Sequence, residues 1–171
     1  MKEINRILID LKENWEKPHK AIHSKGECPF LLKCTIDCKP DIQSIENTLI
    51  LDVPEHVKDF WRFTKEAYLF QDIEYGQWGL HIYSVGNSIE ITKEILTDRP
   101  EEILVTDLVL GNFLGDSDLL IVNCNKNSQD YGEVIIGLPL DRRNDWYFLQ
   151  INFQQFLFEY SIRNGEKFWI V

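Results

Sequence analysis

Apolar side chains at Ile4, Ile7, Leu8, Leu11 and Trp15 recur at spacings of three and four, one stripe on a 3.6-residue period. Lys2, Glu3, Arg6, Asp10, Lys12 and Glu13 fall off that stripe, and Pro18 follows it. An amphipathic helix is predicted over residues 4–15. Residues 17–40 hold Pro18, Gly26, Pro29 and Pro40 and show no clear period. They are expected to form a long loop whose Phe30, Leu31 and Leu32 are clipped into the core. Asp41 can cap a second helix with Ile42, Ile45 and Leu49 inward. Asp52 and Pro54 then mark a third helix start, with Val57, Phe60 and Trp61 as its apolar stripe. A tight Leu-Asp-Val-Pro turn joins these two helices.

Beyond residue 66 the period changes. Residues 67–70, 79–85, 106–110, 118–123 and 132–138 are rich in β-branched and aromatic side chains and are predicted as strands. Gly76 and Gly79 flank Gln77 and Trp78 and suggest a turn or bulge. A short helix is expected within residues 90–104, ending before Arg99-Pro100, because a residue preceding proline avoids the helical region. The run NCNKNSQD at 123–130 is full of turn formers and reads as a hairpin connection. Asn152 followed three residues later by Gln155 is a capping-box signature. The helix it opens turns Phe153, Phe156, Leu157 and Tyr160 inward and stops at Asn164-Gly165. Residues 168–171 form a last short strand or pack onto the core. No repeat or composition break divides the chain. The order of helices, then strands, then a helix predicts an α+β domain: one twisted, mainly antiparallel sheet with helices on one face.

Composition agrees with a folded domain. The chain has 171 residues, 44% hydrophobic and 12% aromatic, enough to bury a core without staples. Its formal net charge of −10 repels phosphate backbones and anionic membranes and complements a partner with a basic surface. The same charge also serves plain solubility. No basic segment followed by an apolar stretch stands near the start, and no run approaches the length of a membrane span. A cytoplasmic, monomeric protein that binds neither nucleic acid nor membrane is expected.

Candidate chemistry is sparse. Cys28, Cys34 and Cys38 are separated by five and three residues, near His19 and His23, a spacing unlike the usual zinc patterns. These thiols and Cys124 are expected to be free, with no metal or other cofactor. No phosphate loop, dinucleotide fingerprint, esterase elbow or H-E-x-x-H occurs, so no catalytic residue is assigned. Asp116 and Asp118 flank a tight turn; they could offer oxygens to calcium, yet lack the rest of a calcium loop. A turn shaped by Asx-type hydrogen bonds is the alternative. Asp141, Arg142, Arg143 and Asp145 precede Trp146 and Tyr147, a mixture found both in solvated turns and in binding surfaces.

Several short motifs, in order, carry a resemblance. They are VPEHVKDF at 53–60, YGQWGL at 75–80, LGDSDLL at 114–120, GEV at 132–134, DRRNDWY at 141–147 and FQQFL at 153–157. Together they resemble the SUKH superfamily (Smi–Knr type) over about residues 41–169. The resemblance implies a single SUKH-like domain over 1–171, with 1–40 a less typical helix and loop. It also implies a binding role. Bacterial members are largely immunity proteins that neutralise toxins, often nucleases, by direct contact, and fungal relatives act as regulators through protein contacts. A regulatory scaffold of the same fold, or a metal-dependent hydrolase using the N-terminal Cys and His groups, are the competing readings. For a toxin with a basic surface, the expected contact residues are Asp116, Asp118, Asp141, Arg142, Arg143 and Asp145.

Overall fold

The computed structural model describes residues 1–40, 42 and 51–171. The expected second helix rests on Asp41, Ile45 and Leu49, which lie outside the described residues. Ile42, expected inward, is exposed.

The first helix, α1 (Glu3–Trp15), buries Ile4, Ile7, Leu8, Leu11 and Trp15, the stripe its sequence predicts. Helix α2 (Glu55–Phe63) starts directly after Pro54 and buries Val57, Phe60 and Trp61. The indole of Trp61 donates to the Tyr83 carbonyl at 2.9 Å, which satisfies its one buried polar atom.

The segment expected to be a loop, residues 17–40, is instead partly extended. Strands β1 (Ile22–His23) and β2 (Gly26–Glu27) form a small hairpin, and β3 (Leu32–Ile36) is an edge strand of the main sheet. Leu32, Cys34 and Ile36 are buried while Thr35 is exposed, so the period of two is present in L-K-C-T-I. Of the three residues expected to be clipped into the core, Leu32 is fully covered and Phe30 packs against the core cluster, while Leu31 is only half-buried and lies outside it.

The sheet is antiparallel throughout, with strands in sequence order: β3, β4 (Ala67–Asp72), β5 (Leu80–Ile82), β6 (Asp107–Phe113), β7 (Leu119–Asn123), β8 (Glu133–Gly137) and β9 (Tyr147–Asn152). Strand β9 was not expected from the sequence. It alternates partly buried and exposed side chains at the open edge, and a register shift with Gln150 at φ 57° bends it.

Helix α3 (Val85–Asp98) begins five residues earlier than the sequence reading places it. The extended run expected through Val85 stops because the Ser84 hydroxyl accepts from the Asn87 amide and caps the helix. The end at Asp98, before Arg99-Pro100, is as expected.

Helices do not keep to one face. Helices α1, α2 and α4 (Phe153–Ile162) pack with Leu108, Leu120, Val134 and Ile136 on one side. Helix α3 lies on the other through Ile91, Ile95 and Leu96, with Val109, Ile121, Ile135 and Trp146. The cause is legible in β6–β8: nearly every residue of these strands is buried, as in strands covered on both faces.

Helix α4 carries the full capping box. The Asn152 side chain accepts from the Gln155 amide, and the Gln155 side chain accepts from the Asn152 amide, each at 2.9 Å. Its end is set by Gly165 at φ 78°, whose amide donates to the Tyr160 carbonyl at 2.9 Å. A Cβ there would lie 2.5 Å from the Phe70 ring, so glycine serves both the turn and the packing. Residues 168–171 form no strand, and Trp169 packs onto the core.

Candidate functional site

The two predicted contact segments differ sharply in how much charge they leave free. The turn holding Asp116 and Asp118 joins β6 to β7. Asp116 accepts from the Asp118 amide at 3.2 Å, the Asx-type bond expected of a shaped turn. Gly115, at φ 101°, brings the turn so close to the Gln77 carbonyl that a Cβ would stand 2.3 Å from it. Asp118 is buried rather than displayed. Lys167 inserts between the two carboxylates, pairing with Asp116 and lying 3.6 Å from Asp118. Its ammonium also sits 5.7 Å from the Trp78 ring centroid and 5.2 Å from that of Phe113. The expectation of an exposed acidic turn is corrected for Asp118, because its carboxylate faces the chain's own lysine.

Burial raises the Asp118 carboxyl above the ordinary aspartate value, and the neighbouring Asp116 adds to the rise, against the pull of Lys167. The folded state therefore holds the proton more tightly than the unfolded chain. Stability falls as pH rises from the unfolded aspartate pKa through the raised folded one. Asp118→Asn is expected to remove that fall and to leave the melting temperature at neutral pH unchanged or higher. Thermal melts from about pH 4 to 7 check this; a lower melting temperature for the variant throughout would show that the Lys167 pair outweighs the desolvation.

The second segment lies between β8 and β9 and includes a 3-10 turn at Arg143–Asp145. Asp141, Arg142 and Asp145 are exposed. Arg143 is not a free surface cation. Its guanidinium donates to both oxygens of Asp107, at 2.6 and 3.3 Å, and to the Glu102 carbonyl at 2.9 Å, while its backbone amide donates to the Glu102 carboxylate. It lies 5.3 Å from the Trp146 ring centroid and 5.7 Å from that of Phe148. Arg99 approaches the same indole at 5.9 Å and donates to the Leu138 and Asp141 carbonyls at 3.2 and 2.6 Å. The two arginines thus stitch residues 99–107 to residues 138–148. No hydrogen bond or ion pair among the described residues links this region to the Asp116–Asp118 turn.

Asp107, Glu102, Arg99 and Phe148 were not singled out from the sequence. Asp107 carried a signal, since a carboxylate opening an otherwise apolar strand needs a cation or several donors. Nothing in the sequence said that the cation stands 36 positions away.

Three of the four cysteines and three of the four histidines are engaged in structure. Cys28, Cys34 and Cys124 are buried and Cys38 is exposed. Burial pushes the Cys34 and Cys124 thiols up to about 12. His19 stacks on Trp15 at 3.9 Å, His23 shares a 3.0 Å hydrogen bond with the Asn164 carbonyl, and His81 stacks on Tyr68 at 4.0 Å beside Glu66. Among the described residues, no three His, Cys, Asp or Glu groups stand together as a metal site. A groove of about 380 Å³ runs past His23, Trp78, Arg163, Glu166 and Lys167. Its charges are largely spent on one another and on neighbours: Glu166 accepts from the Ser24 amide at 3.0 Å and Arg163 pairs with Glu159 at 3.1 Å. Among the described residues, no helix is long and apolar enough to cross a membrane. No family model matches the chain, and no match is found among curated proteins.

Proposed function

We propose that this protein binds a toxin with a basic surface and neutralises it by direct contact, as an immunity protein of the SUKH type. The observation that carries this reading is an acidic face on α3. Glu90, Glu94 and Asp98 are exposed at four-residue spacing, and none pairs with a described residue. Like charges at that spacing repel, and the Asp98 carboxylate, in a last helical turn that holds no basic residue, opposes the helix dipole. A cationic partner relieves both costs, and the net charge of −10 steers it in. The antiparallel sheet with packed helices agrees with the architecture that the resemblance implies. The resemblance supplies the kind of partner, and the charge supplies its sign.

The test is to see whether a neighbouring gene encodes a toxin and to co-express that toxin with this protein; neighbouring genes without one would count against the reading. Cells making that toxin are expected to stop growing, and cells making both proteins to grow normally. Growth arrest in the presence of the folded protein would contradict the reading.

A further inference from the structure

We infer that the partner docks on the stitched loops over the second face of the sheet, with Phe148, Leu104 and Leu140 as its apolar centre and carboxylates as its rim. This rests on the protein-binding reading above and gives it a location.

The apolar side chains come first. Phe148 is 46% exposed, Leu104 49%, Val105 74% and Leu140 97%. Single exposed apolar residues are ordinary, but these stand on two segments fastened to each other. Phe148 lies against Arg143, Arg143 forks onto Asp107, and the Asp107 carboxylate accepts from the Leu104 amide at 2.8 Å. Leu140 precedes Asp141, whose carbonyl is held by Arg99. The loops are therefore ordered before any partner arrives, and binding loses little conformational entropy there.

Charge then selects the occupant. Residues 98–107 and 138–148 hold six carboxylates and three guanidiniums. Asp107, Glu102, Arg99 and Arg143 are occupied within the fold. What faces solvent is Asp98, Glu101, Asp141 and Asp145 against Arg142. A protein with lysines and arginines around an apolar projection fits this surface. A second copy of the chain would bring the same acidic rim against itself, and like charges across an interface are costly.

Arg143, Asp107 and Trp146 hold the platform, while Phe148 and Leu140 are exposed enough to be trimmed without emptying the core. The probe is the toxin identified by the co-expression test above, in an inactivated form, titrated into the full chain and its variants. Phe148→Ala and Leu140→Ser are each expected to weaken binding about ten-fold, mainly through faster dissociation. The double variant Asp141→Lys, Asp145→Lys is expected to slow association and to reduce its salt dependence. Tyr75→Ala, on the β4–β5 turn, is expected to bind like the parent. Melting curves confirm folding, and Leu140→Ser keeps the test valid should Phe148→Ala unfold. Parent-like affinity in all folded variants would overturn the docking surface while the protein-binding reading stands. Failure of the parent to bind would remove both. A dimer of the parent that Phe148→Ala dissolves would make this a contact between copies and overturn the proposal.

Discussion

Arg143→Ala is expected to cost about 3–5 kcal/mol of stability, since removing one partner of a buried ion pair strands the other charge. The stranded group is Asp107, 1% exposed at the start of β6, where water cannot replace the lost fork. The substitution also removes the bond to the Glu102 carbonyl and the contact with Trp146, so the two loops lose half their stitching. Arg143→Lys keeps a cation but not the planar fork and is expected to fall between the two. Replacing both members together, Arg143→Met with Asp107→Leu, is expected to recover much of the loss, because no charge is then left buried. Urea unfolding of the four proteins measures this, through a shifted midpoint at unchanged slope. A loss below about 1 kcal/mol for Arg143→Ala would mean that Asp107 is adequately held by the Leu104 amide and solvent alone.

Phe156→Ala is expected to cost a similar amount, about 3–5 kcal/mol, for a different reason. Phe156 is fully buried, with its ring 5.6 Å from Tyr160, 5.9 Å from Trp169 and 6.0 Å from Phe168. Those rings tie α4 to the C-terminal segment, and α4 also packs on α1 and α2. Rigid neighbours cannot collapse into the vacated volume, so a cavity adds to the lost burial. The melting temperature is expected to fall by roughly 10 °C. An unchanged value would place this face of α4 outside the core.

The two substitutions also mark what a sequence discloses. The inward face of α4 was legible because it is local: a cap, a period and a stop within fifteen or so positions. The same holds for α1, for the Pro54 start of α2 and for the apolar strands β6–β8. Strand β3 escaped notice because prolines and cysteines around it suggested a loop, although Leu32, Cys34 and Ile36 alternate correctly. Strand β9 was masked by the charged run before it and the helix cap after it. The start of α3 was misplaced because Ser84 ends an extended run by capping, a choice made by geometry and not by hydropathy. At the candidate site, acidic and basic residues were found, but their states were not. Asp118 meets Lys167, and Arg143 meets Asp107, across 49 and 36 positions. Such pairings depend on which strands lie side by side, and periodicity is silent on that. Phe148 was unmarked for the same reason, since only the register of β9 against Ile135 turns it to the second face.

The central claim, that an acidic surface receives a basic protein toxin, is met most directly by isothermal titration of the purified chain with the inactivated toxin domain at low and high salt. The expected result is a one-to-one complex whose affinity drops as salt rises. No heat of binding at either salt concentration, from two proteins shown to be folded, would contradict it.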